Sequence, residues 1–147
     1  MFNAIVVGTD GSDTASQAVR EATDLAKADG ATLELVSAFA PVSGRRLRAE
    51  RRDAPEEVRS AINPRHEVEE FLEDAADLVR QAGVSVNMHA RQGDPADVIL
   101  DVAEETGAGL IVVGNKGMTG AARFLLGAVP DKISHHAPCS VLIVRTT

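Results

Sequence analysis

Two short segments of this 147-residue chain end an apolar run in glycine and follow it with polar residues. The first is Val7-Gly8-Thr9-Asp10-Gly11 and the second is Val113-Gly114-Asn115-Lys116-Gly117. Glycine permits positive φ and lets a backbone approach a ligand closely. The second segment continues as Gly114-x2-Gly117-x9-Gly127, and Gly127 stands where the next helical stretch begins. Helix N-termini carry free N–H groups and partial positive charge, so they attract phosphate. Lys116 and Arg123 lie in the same stretch and can add charge. The chemistry these residues suit is the holding of a phosphorylated small molecule. The competing reading is a long surface loop shaped by three glycines, since isolated glycine spacings are weak evidence. Asp10, at the tip of the first run, is a candidate ligand contact, because Ser12 and Asp13 are nearer candidates to cap the helix that follows.

Other chemistries find less support. A GxxxxGK[ST] phosphate loop is absent, as neither Gly-Lys-Ser nor Gly-Lys-Thr occurs. No acid and base pair is spaced to activate water, and no Ser or Thr has a His–acid setting. His135-His136 are adjacent, so on a helix they point in different directions, and no second pair of metal-type ligands accompanies them. The single cysteine, Cys139, opens an apolar run and reads as a small buried hydrophobe. One thiol makes no disulfide framework, which fits a reducing compartment. A net charge of −7 and only 3% aromatic residues oppose a nucleic-acid partner. The opening residues carry no signal-type segment, and no apolar run is long enough to span a bilayer. A soluble cytoplasmic protein without a membrane partner is expected.

The elements that must position the two glycine segments alternate in type. Apolar runs at 4–8, 32–38, 84–91, 110–114 and 139–145 read as strands. The run at 110–114 is wholly apolar and belongs in the sheet interior, whereas the alternation at 84–91 suits an edge. Between the strands, apolar residues recur at helical spacing. Ala15, Ala18, Val19, Ala22, Leu25 and Ala26 form one stripe, closed by Gly30. Val68, Phe71, Leu72, Ala75, Leu78, Val79 and Ala82 form a second, with Asn63 as its N-cap, Pro64 at its first position and Gly83 at its end. A third helix starts at Asp94-Pro95 and ends near Gly107, and a short one follows Gly127. Strand–helix alternation throughout predicts a single α/β domain over 1–147 with a parallel sheet covered on both faces. Residues 40–63 break the rhythm with Pro41, Gly44 and Pro55, and read as a mobile insertion. The Arg-rich run at 45–52 within it reads as a solvated segment, with a partner patch or a cover over the ligand as alternatives. In such sheets ligands sit beyond the strand C-termini, where strand order reverses. If the strands ending at Gly8 and Gly114 are neighbours, their tips are the two lips of one crevice.

Taken together, several segments resemble the universal stress protein family in its ATP-binding branch. They are Ile5-Val6-Val7-Gly8-Thr9-Asp10-Gly11-Ser12, Gly93-Asp94-Pro95, Leu110-Ile111-Val112-Val113-Gly114-Asn115-Lys116-Gly117, Phe124-Leu125-Leu126-Gly127-Ala128-Val129 and the run from His136 to Val144. The likeness covers essentially the whole chain. It implies a doubly wound, open five-stranded parallel sheet in the order 3-2-1-4-5, with helices on both faces. It also implies binding of ATP or another adenine nucleotide, with any accompanying magnesium left open, and hydrolysis that is slow at most. By position, Asp10 matches the acid on the ribose or adenine side, and Gly8 and Thr9 lie against the same part. Ala38 and Phe39 match the backbone that reads adenine. Gly114, Asn115, Gly117, Gly127, Ala128 and Val129 match the phosphate-binding segment. Three positions depart from the family pattern: Ala128 replaces a Ser or Thr, Pro130 lacks an N–H early in its helix, and Gly109 replaces an Asp. The resemblance further implies a homodimer through the last strand, Ser140 to Val144. The alternative is a dimeric protein-interaction module that has lost its nucleotide.

Overall fold

The computed structural model describes residues 1–40, 64–115 and 127–146. The elements run β1 (Ala4–Gly8), α1 (Asp13–Asp29), β2 (Thr32–Phe39), α2 (Pro64–Gln81), β3 (Val86–Gln92), α3 (Pro95–Thr106), β4 (Leu110–Gly114), α4 (Ala128–His136) and β5 (Ser140–Val144). All strands are parallel, in the order β3-β2-β1-β4-β5, so β1 and β4 are neighbours. The expected insertion from 41 onward, with its Arg-rich run, and Asn63 lie outside the described residues.

Side chains alternate across each strand, so the two faces of the sheet carry two cores. Ile5, Val7, Leu33, Leu35 and Val112 pack beneath α1 and α2, meeting Ala18, Ala22, Leu72 and Val79. Val6, Val36, Ile111 and Val113 pack beneath α3 and α4, meeting Ile99, Val102 and Ile133. Each large aliphatic side chain so buried contributes about 1.5–3 kcal/mol. The small residues Ala18, Ala22 and Ala26 line the buried stripe of α1 and bring that helix close to the sheet.

The helix ends follow local chemistry. Ser12 caps α1 by accepting the Ala15 N–H at 3.2 Å, and Gly30 ends it at φ 67°. Asp94 caps α3 by accepting the Asp97 N–H at 3.1 Å, with Pro95 at the first helical position. β3 begins two residues later than its pattern suggests. Val84 is apolar and buried, but its N–H still closes onto the Val79 carbonyl at 3.3 Å as part of the end of α2. The polar face of β3 has a definite function in packing. Glu34 of β2 is buried, and its carboxylate is met by Asn87 Nδ2 at 3.1 Å and His89 Nε2 at 2.7 Å. A buried carboxylate is tolerated only with such partners. β5 lies at the opposite edge, with Leu142 37% exposed. Among the described residues, no helix is long and apolar enough to cross a membrane.

Candidate functional site

The tips of β1 and β4 frame a crevice of about 110 Å³ whose walls include Gly8, Thr9, Asp10, Ala38, Gly114, Val129 and Pro130. α1 contributes Thr14 and Ala15, and α3 contributes Pro95 and Ile99. A larger groove of about 480 Å³ lies between α1 and α2, over Val19, Phe71 and Leu78. The smaller space is the better candidate, because it lies beyond the strand C-termini where the order of connection reverses. Strand tips and a helix N-terminus also converge there, whereas the groove is walled mostly by the side chains of two helices.

Each wall has a local cause. Gly8 is glycine because α3 packs directly on it: a Cβ there would lie 2.5 Å from Ile99 Cδ1. Gly11 turns the chain at φ 81° into α1. Asp10 accepts the Ser12 N–H at 3.0 Å and the Ser12 hydroxyl at 2.5 Å, which fixes the carboxylate at the mouth of the crevice. The Thr9 hydroxyl accepts the Gly11 N–H at 3.2 Å.

Ala38 and Phe39 fall on opposite sides of β2. The last rung between β1 and β2 runs from the Thr9 N–H to the Val36 carbonyl at 2.9 Å. In a parallel ladder, alternate residues direct both backbone groups to the same neighbour. The N–H and C=O of Ala38 therefore point the way those of Val36 do, beyond the end of β1 and into the crevice. No described residue bonds to them. The Phe39 carbonyl faces β3 instead, where it accepts the Gly93 N–H at 3.1 Å.

On the other lip, the N–H of Asn115 is donated to the Val144 carbonyl at 2.9 Å. Its side-chain Oδ1 accepts both the N–H and the hydroxyl of Thr146, at 2.8 and 2.9 Å. Asn115 thus braces Thr146, itself buried and part of the crevice wall. Lys116, Gly117 and Arg123 lie outside the described residues. Gly127 is the N-cap of α4, with no side-chain cap. Pro130 has no N–H, so Ala128 and Val129 are the residues of this first turn that can offer one. Gly109, which departs from the family pattern, has a packing reason: a Cβ there would lie 2.9 Å from Phe2 Cδ1.

Charged groups around α3 are paired. Lys132 of α4 meets Asp97 at 2.8 Å and Asp94 at 3.4 Å, tying α4 to the start of α3. The Asp97 N–H, with help from Lys132, holds the Asp94 carboxyl below its ordinary range. Arg91 clasps Glu105 through two bonds of 2.8 and 2.6 Å, and this lowers the Glu105 carboxyl in turn. Burial pushes the half-buried Cys139 thiol up. Among the described residues no three His, Cys, Asp or Glu side chains come together as a metal site. Sequence reasoning passed over Thr14, Ala15, Val36, Ser37, Ile99 and Thr146 as walls of the crevice, and it named Pro95 and Pro130 only for a helix start and a missing N–H. Most are ordinary core or cap residues whose role depends on which strands are neighbours.

The model of the universal stress protein family matches residues 1–145. The universal stress protein Rv1636 of Mycobacterium tuberculosis is 37% identical over 148 residues, covering 99% of this chain and 98% of its own length. A universal stress protein solved in complex with cAMP is 31% identical, with a TM-score of 0.72 over 99% of this chain and 98% of that one. The universal stress protein of Archaeoglobus fulgidus in complex with dAMP is 27% identical, with a TM-score of 0.68 over 96% of each chain.

Proposed function

This chain belongs to the universal stress protein family, and from that premise we propose that it binds an adenine nucleotide, ATP foremost, in the crevice between β1 and β4. The observation that carries the reading is the convergence there of the open Ala38 backbone, the Asp10 carboxylate and the uncapped start of α4. The N–H and C=O of Ala38 offer one donor and one acceptor, as the Watson–Crick edge of adenine requires. Asp10, beside Gly8 and Thr9, takes the ribose side. Phosphates are held by the N–H groups of Ala128 and Val129 after Gly127, together with the segment from Gly114 through Lys116, Gly117 and Arg123. Asn115 acts by bracing Thr146. The relatives solved with cAMP and dAMP support an adenine nucleotide as the ligand class. The protein serves as a stress-response or signalling component of the cytoplasm, with slow hydrolysis at most, no nucleic-acid partner and no required metal of its own.

Ala128 in place of a hydroxyl residue removes one contact worth about 1 kcal/mol, or up to about 3 with a charged partner. Affinity thus falls about fivefold and at the extreme somewhat over a hundredfold, which weakens the site without abolishing it. Titration calorimetry of the nucleotide-stripped protein with ATP and magnesium tests the reading. A dissociation constant on the order of micromolar, lost in a folded Gly114→Ala, Gly127→Ala double variant, is expected. No heat from a folded native chain overturns it. A second reading, a protein-interaction module without nucleotide, is favoured by Ala128 and Pro130 and would then take its place. In both readings β5 pairs with its counterpart in a homodimer, because it is an apolar edge strand with Leu142 in solvent. Light scattering that finds a monomer at high concentration rejects that assembly.

A further inference from the structure

Four polar side chains are buried among the described residues: Thr23, Glu34, Ser37 and Thr146. Three of them are satisfied within the protein. The Thr23 hydroxyl donates to the Val19 carbonyl at 2.7 Å, Glu34 is held by Asn87 and His89, and Thr146 bonds to Asn115. Ser37 differs. It is only 4% exposed, and no described residue offers its hydroxyl a hydrogen bond. No fully enclosed side-chain oxygen or nitrogen of the described residues lacks a partner, so this hydroxyl must open onto free space. The space that Ser37 borders is the crevice.

The position makes the hydroxyl conspicuous. Strand alternation sets Ser37 on the same face as Leu33 and Leu35, where an alanine or valine would match its neighbours. A hydroxyl that opens onto the crevice with no bond inside the protein leaves a hydrogen bond that a ligand seated there can complete. Ser37 immediately precedes Ala38, whose N–H and C=O emerge into the same crevice. We propose that Ser37 is a direct contact for the adenine base, its hydroxyl completing a hydrogen bond to the base beside the Ala38 backbone. This inference rests on the adenine-nucleotide reading given above.

The test titrates the native chain, Ser37→Ala and the near-isosteric Ser37→Cys with adenosine, AMP and ATP, and records the Tm of each protein without ligand. A base contact weakens all three ligands by a similar factor, about fivefold to tenfold, in both variants. The Tm of the unliganded variants stays level or rises, since no internal bond is lost. Equal affinity of native and variant chains overturns the assignment of Ser37 while leaving the nucleotide reading intact. A fall in the unliganded Tm with unchanged affinity also overturns it, because the hydroxyl then serves the fold. A weakening confined to ATP overturns it in favour of a phosphate-side effect. If the folded native chain binds none of the three ligands, the nucleotide reading fails and the Ser37 contact fails with it.

Discussion

At the residue scale, most of the side chains that shape the crevice act through backbone geometry rather than by offering reactive groups. Asp94 is the case most open to measurement. Its carboxylate accepts the Asp97 N–H and faces Lys132, and both interactions favour the charged form. A carboxyl whose value is depressed in the folded state lends stability above its unfolded value, near 4. That contribution is lost as pH falls through the depressed value. Asp94→Ala should therefore lower the Tm at neutral pH, and thermal melts should show the gap to the native chain closing as pH drops below about 4. A gap that stays constant down to the lowest pH at which the chain folds would mean that the cap does not depend on charge. Asp94-Pro95 was legible in the sequence because capping is a local matter. The ties of Glu34 to Asn87 and His89 were not, because their partners lie 53 and 55 residues away. Only the pairing of β2 with β3 brings them together.

At the element scale, the contact of α3 with β1 sets the depth of the crevice. Gly8→Ala places a methyl group 2.5 Å from Ile99 Cδ1, so the tip of the Ile99 side chain must shift within its packed surroundings. Overpacking of this kind costs about 1–3 kcal/mol. Ile99→Val removes the clashing Cδ1, and in the Gly8→Ala background it should recover much of the loss in a denaturant melt. Additive damage in the double variant would instead trace the role of Gly8 to its backbone. Element types and most helix ends could be read from spacing, since Gly30 and Gly107 stop their helices in the left-handed conformation that glycine favours. Strand order could not. Apolar periodicity says which face is buried but not which strand lies alongside, and the order 3-2-1-4-5 came from the family resemblance. The separation of Ala38 from Phe39 was hidden for the same reason, because the direction of a backbone carbonyl depends on which neighbour has already ended. The start of β3 was misplaced because Val84 has the side chain of a strand residue and the hydrogen bond of a helix end.

At the scale of the whole molecule, one five-stranded sheet carries both cores, and every described helix packs on it. A single cooperative unit over 1–147 should unfold in one calorimetric transition whose measured and van't Hoff enthalpies agree. ATP should raise its midpoint in proportion to the logarithm of free ligand well above the dissociation constant. Two resolved transitions would divide the chain into more than one unit. The bare start of α4 extends this linkage to motion. A helix of nine residues with no side-chain cap is a short element whose first turn frays readily. An anion seated on Ala128 and Val129 would supply the missing cap from outside the chain. The ligand would then be a temporary part of the secondary structure, and its arrival would be recorded as slower deuterium uptake by those two amides. Because the chain leaves α4 directly for β5, the edge strand would receive a steadier anchor whenever nucleotide is present.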